Sequence, residues 1–339
     1  MAGTAQELAT ANGPAALPVS TETGTMRREP LSATPRGATS MRCTTRFRRL
    51  IEQPEILTMP GCHDALTARI AEQAGFKAIT CGGYAASASL LGQPDTSQLS
   101  LTEMADMYER ICDAVAIPVF ADADTGYGNV TNAARAVRYY ERAGVAGLFI
   151  EDQVFPKRCG HMTGKDVVPL EEFLGKLKSA LDARHDTDLV IMARTDALAV
   201  RGIDDAIERG QAAREAGADM IFVESPTTIA EMERICREID APCLANNVEG
   251  GASPLLSAAE LQKIGYAAVV FPVAATYAVA HAVRGLMKTI ADHGTTAPYH
   301  DRMVAFNEFN ETVGLTPLRR REASAQDFAR ELLWRRENQ

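Results

Sequence analysis

Several things are missing from this sequence of 339 residues. No run approaches the roughly 20 consecutive apolar residues that a membrane-spanning helix requires, so no membrane is expected among its partners. A basic excess is missing too: 35 Lys and Arg stand against 44 Asp and Glu, a net charge of −9. A general binder of phosphate backbones needs a basic face, so nucleic acid is excluded as well. Cysteine pairing is the third absence. Cys43, Cys62, Cys81, Cys112, Cys159, Cys236 and Cys243 form an odd set with no C-x-x-C spacing. That excludes a disulfide framework and a zinc knuckle, and predicts a reducing, cytoplasmic location. With 46% hydrophobic and 23% charged residues, the chain has the composition of an ordinary globular protein able to bury a large core.

Residues 1 to about 44 are rich in Ala, Thr, Ser, Pro and Gly, with neither helical nor strand periodicity, and are read as a disordered extension. They lack the apolar stretch of a secretory signal. Arg27, Arg28, Arg36, Arg42, Arg46, Arg48 and Arg49 among many hydroxyl residues imitate a transit peptide. The plainer reading is a dispensable tail, or an upstream start with Met41 as the natural beginning.

From Ile56 onward, short apolar runs alternate with amphipathic stretches of ten to fifteen residues. The predicted strands are Ile56–Met59, Lys77–Cys81, Pro118–Ala121, Ala146–Ile150, Leu189–Ala193, Met220–Val223, Pro242–Ala245 and Ala267–Phe271. Helices are predicted over Asp64–Ala74, Leu101–Val115, Val130–Ala143, Leu170–Arg184, Ile203–Ala216, Ile229–Ile239 and Ala258–Ile264. Gly75, Gly144, Gly217 and Gly265 end four of them, as left-handed C-terminal caps do. Such alternation demands parallel strands with right-handed crossovers. It fits a (β/α)8 TIM-type barrel over 45–295, with a helical segment at 296–339 for oligomer contacts. An open doubly wound sheet would want a Gly-rich fingerprint after the first strand, and Pro60-Gly61-Cys62-His63 is not one.

Active sites of such barrels lie at the C-terminal strand ends. Those ends carry Gly82 and Gly83, Asp122 and Asp124, Glu151 and Asp152, Arg194, Glu224, Asn246 and Pro272. One carboxylate after a strand is usually a helix cap. A run of acids, amide and guanidinium on consecutive strand ends converges on one mouth instead. Asp122 and Asp124, one residue apart, offer hard oxygens for Mg²⁺, with Mn²⁺ as an alternative; Glu151 completes an outer shell through a metal-bound water. Arg194 offers a fork for a carboxylate. After the fourth strand comes Lys157-Arg158-Cys159-Gly160-His161, in a loop from Phe155 to Val167 that is long for its place, as a mobile lid is. Two flanking cations predict a Cys159 thiol of lowered pKa.

Four motifs now stand in order at strand ends: Asp-Ala-Asp-Thr-Gly-Tyr-Gly (122–128), Glu-Asp-Gln-Val-Phe-Pro-Lys-Arg-Cys-Gly-His (151–161), Ala-Arg-Thr-Asp-Ala (193–197) and Asn-Val-Glu-Gly-Gly (247–251). Together they resemble the isocitrate lyase/phosphoenolpyruvate mutase superfamily, from about Ile51 to Thr312. The resemblance implies a barrel whose last helix is swapped with a neighbouring subunit, in a homotetramer built as a dimer of dimers. It implies Asp122 and Asp124 as metal carboxylates with Glu151 outside them. It also implies Cys159 as acid/base on a gating loop, beside the catalytic candidates Lys157, His161 and Glu224. Substrate contacts fall on Gly82, Gly83, Tyr84, Asp95, Gly160, Arg194, Asn246, Pro272 and Tyr277. Most relatives have Ser or Thr where Gly82 stands, so a hydroxyl contact is lost there while backbone N–H contacts remain.

The chemistry these residues support is retro-aldol-like C–C cleavage of a 2-hydroxy acid. Glu224, or Tyr84 in a relay, is the candidate base; Arg194 and His161 meet developing charge, and Cys159 delivers the proton. Methylisocitrate lyases carry arginines where this chain has Tyr277 and Phe306. Losing both leaves no partners for a third carboxylate, whose unpaired burial is costly. The resemblance therefore points to a malate-type substrate with two carboxylates and apolar bulk, as in the 2,3-dimethylmalate lyase branch. Methylisocitrate lyase, carboxyphosphonoenolpyruvate phosphonomutase and oxaloacetate hydrolase are the alternatives within the superfamily. Pro272 stands where the hydrolases tend to have Ser. A non-catalytic binding barrel is the alternative outside it. In the C-terminal segment, Phe328, Leu332, Leu333 and Trp334 share one helical stripe that seeks a partner.

Overall fold

A computed structural model describes residues 41–162 and 164–338. Most of the segment read as a disordered extension, 1–40, lies outside them. The chain order is α1 (Cys43–Ile51), β1 (Leu57–Pro60), α2 (Ala65–Gln73), β2 (Ile79–Cys81), α3 (Gly83–Leu91), α4 (Leu101–Ala114) and β3 (Val119–Asp122). Then come α5 (Val130–Ala143), β4 (Gly147–Glu151), α6 (Leu170–Ala183), β5 (Val190–Thr195), α7 (Ala197–Arg201), α8 (Ile203–Glu215) and β6 (Met220–Val223). The rest is α9 (Ile229–Glu238), β7 (Leu244–Asn246), α10 (Ala258–Ile264), β8 (Ala268–Phe271), α11 (Ala274–His293), a 3-10 turn (Ala297–Arg302), α12 (Phe306–Thr312) and α13 (Leu315–Glu337).

All strand pairs are parallel, in two sheets ordered β1-β8-β7 and β2-β3-β4-β5-β6. Single parallel bridges, Gly61 to Thr80 and Ile221 to Cys243, join the two sheets at both edges. The strands thus follow one another in a ring, with the helices outside it. Capping boxes start α2, α4, α5, α9 and α10, so their orphan N–H groups are satisfied locally. At the other ends, Gly144 (φ 90°) and Gly265 (φ 119°) cap α5 and α10 in the left-handed region that a Cβ disfavours.

Strand side chains alternate with a period of two, and this places the site. The outward set (Ile79, Ala121, Leu148, Ile150, Ile191, Val223 and others) packs under the helices. The inward set fills the ring with Phe120, Phe149, Met192, Met220, Phe222, Leu244 and Val270. Two residues further along the same inward rows stand Asp122, Glu151, Arg194, Glu224, Asn246 and Pro272. One apolar layer is therefore the floor of a charged one.

Helix α1 departs from the sequence reading, because it begins at Cys43, inside the stretch read as extension. Its basic, hydroxyl-rich face resembles a tail, but Phe47 and Ile51 are buried in the bottom of the ring, Phe47 stacking on Phe120 at 5.3 Å. Its polar residues are pinned by acids at the same end: Thr44 donates to Asp186 at 2.7 Å and Arg48 pairs with Asp219 at 2.9 Å. Helix α3 is not among the helices predicted from the sequence. At the far end, no residue of α11 is buried, and Val283 (44%) and Met287 (53%) are among its exposed apolar side chains. Among the described residues no helix is long and apolar enough to cross a membrane.

Candidate active site

A cavity of about 260 Å³ opens at the C-terminal strand ends and is lined by residues of every strand end but the first. Of the expected site residues, Gly82, Gly83, Tyr84, Asp95, Asp122, Lys157, Cys159, Gly160, His161, Arg194, Glu224, Asn246, Pro272 and Tyr277 all line it. Asp124 and Glu151 stand directly behind that wall, both buried. Phe306 does not join them. It opens α12 and is 82% exposed, so the sequence reading that set it at the substrate is not met within this chain's own cavity.

The acidic wall is built by backbone geometry. Asp122 accepts hydrogen bonds from the N–H of Gly83 (2.7 Å) and of Asp124 (2.9 Å), one on each carboxylate oxygen. Gly83 therefore spends its N–H on Asp122, where a backbone contact to substrate was expected, because α3 starts here and aims its first N–H inward. Asp124 takes a left-handed φ of 47°, which a short polar residue tolerates. Beneath them, the Tyr108 hydroxyl accepts from the Asp122 N–H (2.7 Å) and donates to the Cys81 carbonyl (2.6 Å). The Tyr140 hydroxyl donates to the Asp122 carbonyl at 2.9 Å. Neither tyrosine was found by sequence, since each reads as a core position of an amphipathic helix.

Lys157 is the cation of this wall. Its ammonium lies 2.8 Å from both Asp95 and Asp124, and its side chain is 3% exposed. Asp95 is thus the tether of the lid lysine in this structure. Burial, then repulsion from Asp122 and Asp95, pushes Asp124 up to about 7 even though Lys157 opposes the rise. So much carboxylate in one place calls for positive charge. Among the described residues no cluster of three or more His, Cys, Asp or Glu forms a metal cage. Mg²⁺ needs none, since it is held by one or two carboxylates plus water and substrate oxygens. Asp122 and Asp124 supply those carboxylates, and the buried Glu151 Oε1, which has no hydrogen-bond partner, is free to accept from a metal-bound water. The donor set fits.

Arg194 anchors the opposite wall. Its Nε lies 2.9 Å from Asp196 and 3.2 Å from Glu151, and its Nη2 lies 3.1 Å from Glu224. Its guanidinium sits 5.0 Å and 5.6 Å from the ring centres of Phe222 and Phe149, the apolar floor. Burial would raise Asp196, but Arg194 and Lys165 outweigh it and hold the carboxyl at about 2. Asp196 belongs to the Ala-Arg-Thr-Asp-Ala motif, and its spacing of two from Arg194 was the signal that it shares that arginine's surroundings. Asp152, by contrast, faces outward as a strut for Thr195 (2.6 Å) and Arg209 (3.1 Å). Asn246 donates to Glu224 at 3.3 Å, and the His161 Nε2 stands 3.3 Å from Glu224. His161 Nδ1 accepts from the Ala252 N–H at 3.2 Å, which leaves the proton of a neutral ring on Nε2.

The lid brings Cys159 into the cavity wall. Burial pushes its thiol up, with Glu224 adding to the rise and the His161 N–H only partly offsetting it. This corrects the expectation of a lowered pKa. Lys157, one of the two flanking cations, turns its charge to Asp95 and Asp124 instead. Cys159 is a thiol at neutrality, equipped to give a proton. Gly160 lies so close to the floor that a Cβ would sit 2.5 Å from Glu224 Cγ and closer still to Arg194 Nη2. Across the mouth, Tyr277 donates to the Tyr84 hydroxyl at 3.4 Å, and that bond, more than burial, raises Tyr277 to about 12.

A ring of parallel strands with charged side chains at its C-terminal mouth and a thiol-bearing lid defines a barrel enzyme. The sequence matches the phosphoenolpyruvate phosphomutase family over residues 47–291, and the chain belongs to the isocitrate lyase/phosphoenolpyruvate mutase superfamily. It is 48% identical over 279 residues to 2,3-dimethylmalate lyase of Eubacterium barkeri, covering 82% of this chain and 96% of that one. It is 44% identical to the chloroplastic carboxyvinyl-carboxyphosphonate phosphorylmutase of Arabidopsis thaliana, covering 87% and 88%. Among solved structures, a 2,3-dimethylmalate lyase crystal form superposes with a TM-score of 0.80 at 36% identity, covering 84% of this chain and 96% of the other. A phosphonopyruvate hydrolase in complex with oxalate and Mg²⁺ does so at 0.76 and 32%, covering 84% and 99%. Its relatives are lyases and mutases, and members of the superfamily use a divalent metal.

Proposed function

We propose that the protein cleaves the C2–C3 bond of a malate-type 2-hydroxy dicarboxylate, 2,3-dimethylmalate or a close analogue, into a 2-oxo acid and a carboxylic acid. One observation carries this reading: Cys159 and Asp122 line one cavity floored by Phe149, Phe222, Leu244 and Val270, with Asp124 directly behind, and burial of the thiol favours its protonated form. Asp122 and Asp124 would hold Mg²⁺, with Glu151 behind, and the ion would supply Lewis-acid polarisation of the substrate's oxygens. Glu224, or Tyr84 in relay, takes the hydroxyl proton. The C2–C3 electron pair leaves on the C3 side as an enolate, met by Arg194 and His161, and the Cys159 S–H protonates C3.

Substrate size supports a dicarboxylate. Among the described residues the fixed cations lining the cavity are Lys157 and Arg194, both already paired with carboxylates, and the wall position at 277 holds a phenol. A third substrate carboxylate would be buried without a partner. The deciding experiment offers malate-type acids with Mg²⁺ and follows 2-oxo acid release by mass spectrometry. Turnover of 2,3-dimethylmalate well above that of methylisocitrate is expected, abolished by EDTA, restored by Mg²⁺ or Mn²⁺, and absent in Asp122→Ala. Preference for methylisocitrate, or activity in metal-free buffer, would sink the assignment. The 44% identity to a phosphorylmutase favours a second reading, P–C chemistry, which phosphorus NMR with a phosphonate substrate tests.

A further inference from the structure

Lys165 is a second buried lysine of the lid, on its far side from Lys157, and the proposed reaction leaves it unused. Its side chain is 4% exposed, and its ammonium lies 2.8 Å from Asp196, itself fully buried. The same ammonium donates to the carbonyl oxygen of Gly160, the residue that presses on Arg194 and Glu224. A second donor near that carbonyl among the described residues is the Ser225 hydroxyl at 3.2 Å, but its one proton is shared with Glu224 Oε1 at 3.0 Å. An ammonium has three protons and serves both of its acceptors at once. Asp196 in turn holds Nε and Nη2 of Arg194, at 2.9 Å and 3.2 Å. An unbroken chain of charged hydrogen bonds therefore runs from the lid backbone through Lys165 and Asp196 to the arginine of the cavity.

We propose that Lys165 is a positioning residue, a latch that fastens the lid by its Gly160 carbonyl and couples closure to the orientation of Arg194. The physical reason is burial. With the lid down, Lys165 is shielded from water and its charge is met by Asp196 and an oriented carbonyl; with the lid raised, those bonds are exchanged for water. Closure thereby gains charged hydrogen bonds at the residue next to Cys159, so the thiol arrives only when Arg194 is braced.

The latch rests on the reading of 155–167 as the lid of this site, and its test is chosen to be independent of substrate. Hydrogen exchange followed by mass spectrometry on the full chain should show lid peptides spanning 155–164 exchanging about tenfold faster in Lys165→Met, the factor that loss of one charged hydrogen bond gives. Peptides covering β3 and β5 should be unchanged. Lys165→Arg should recover most of the protection. With a turned-over malate-type acid, Lys165→Met should lower kcat about tenfold and move KM little, while Lys165→Arg restores kcat. Unchanged lid exchange in Lys165→Met overturns the latch. So does acceleration spread equally over the barrel strands, which would make Lys165 a general structural residue. Should Lys165→Met not fold, Lys165→Gln is measured in the same way, and failure of both to fold counts against the latch too. Failure of every tested acid to turn over would remove the substrate reading while the exchange result stands.

Discussion

At the scale of a single residue, the environment of Cys159 decides which protonation state it offers to the proposed reaction. Burial raises its pKa above the ordinary 9.0, so the neutral thiol is the resting form and proton donation to a carbanion-like C3 is matched to it. Because the folded value exceeds that ordinary value, Cys159 contributes stability below it and loses it as pH climbs through the folded value. Alkylation by iodoacetamide should therefore accelerate with pH and show no plateau below pH 9; a plateau near neutrality would restore the low-pKa thiolate. Cys159→Ser should fold, bind Mg²⁺ and lose roughly 10²- to 10⁴-fold in turnover, the usual worth of a positioned acid. Wild-type enzyme in D₂O should place one deuterium on the carbon that was C3. A substrate-derived adduct on Cys159 in intact-mass spectra would point to covalent catalysis instead.

Among the elements, the lid depends on close approach more than on any one contact. Gly160 is glycine because its α-carbon rests against Glu224 and Arg194. Gly160→Ala should hold the lid off its seat and lower kcat at least as much as losing the Lys165 latch, without changing thermal stability measurably, since Gly160 lies outside the apolar core. Thermal melts and initial rates on the same preparation check both halves. The elements themselves were largely legible in the sequence. All eight strands lie within two residues of the predicted runs, because a strand buried on both faces reads as a short apolar run bounded by Gly, Pro or Asp. Helix α1 was not legible: its two buried residues, Phe47 and Ile51, are too few to set a period against Arg46, Arg48 and Arg49. Among site residues, those at strand ends were readable from the period of two. Lys165, Ser225 and the tyrosine pair under Asp122 were not, because their roles depend on which loop folds over which strand.

At the scale of the whole molecule, the eighth helix is the anomaly. In a self-sufficient (β/α)8 barrel it packs against the ring, between its neighbours. Here α11 hydrogen-bonds at the mouth through its start, Tyr277 to Tyr84 (3.4 Å) and Thr276 to His63 (3.4 Å). Beyond that turn, Val279, Val283, Met287 and Ile290 are all at least 38% exposed. Further on, α13 exposes Phe328 (60%), Leu332 (46%), Leu333 (57%) and Trp334 (64%) on the stripe read from the sequence. Two helices that leave such side chains in water have not buried what their sequences are built to bury, and apolar surface of this extent marks an interface. We propose that a second copy covers it by exchange of α11, and that pairs of such dimers make a homotetramer. Light scattering at micromolar concentration should give the mass of four chains. Trimming the chain after Gly314, which removes α13 and leaves α11 in place, should reduce the assembly to dimers if α13 joins the pairs. Substituting Val283 and Met287 by Asp should go further and yield monomers or insoluble chain, because charge is then forced into the exchanged contact. A monodisperse monomer for the unaltered protein would show that α11 and α13 tolerate exposure, and the exchange would be withdrawn.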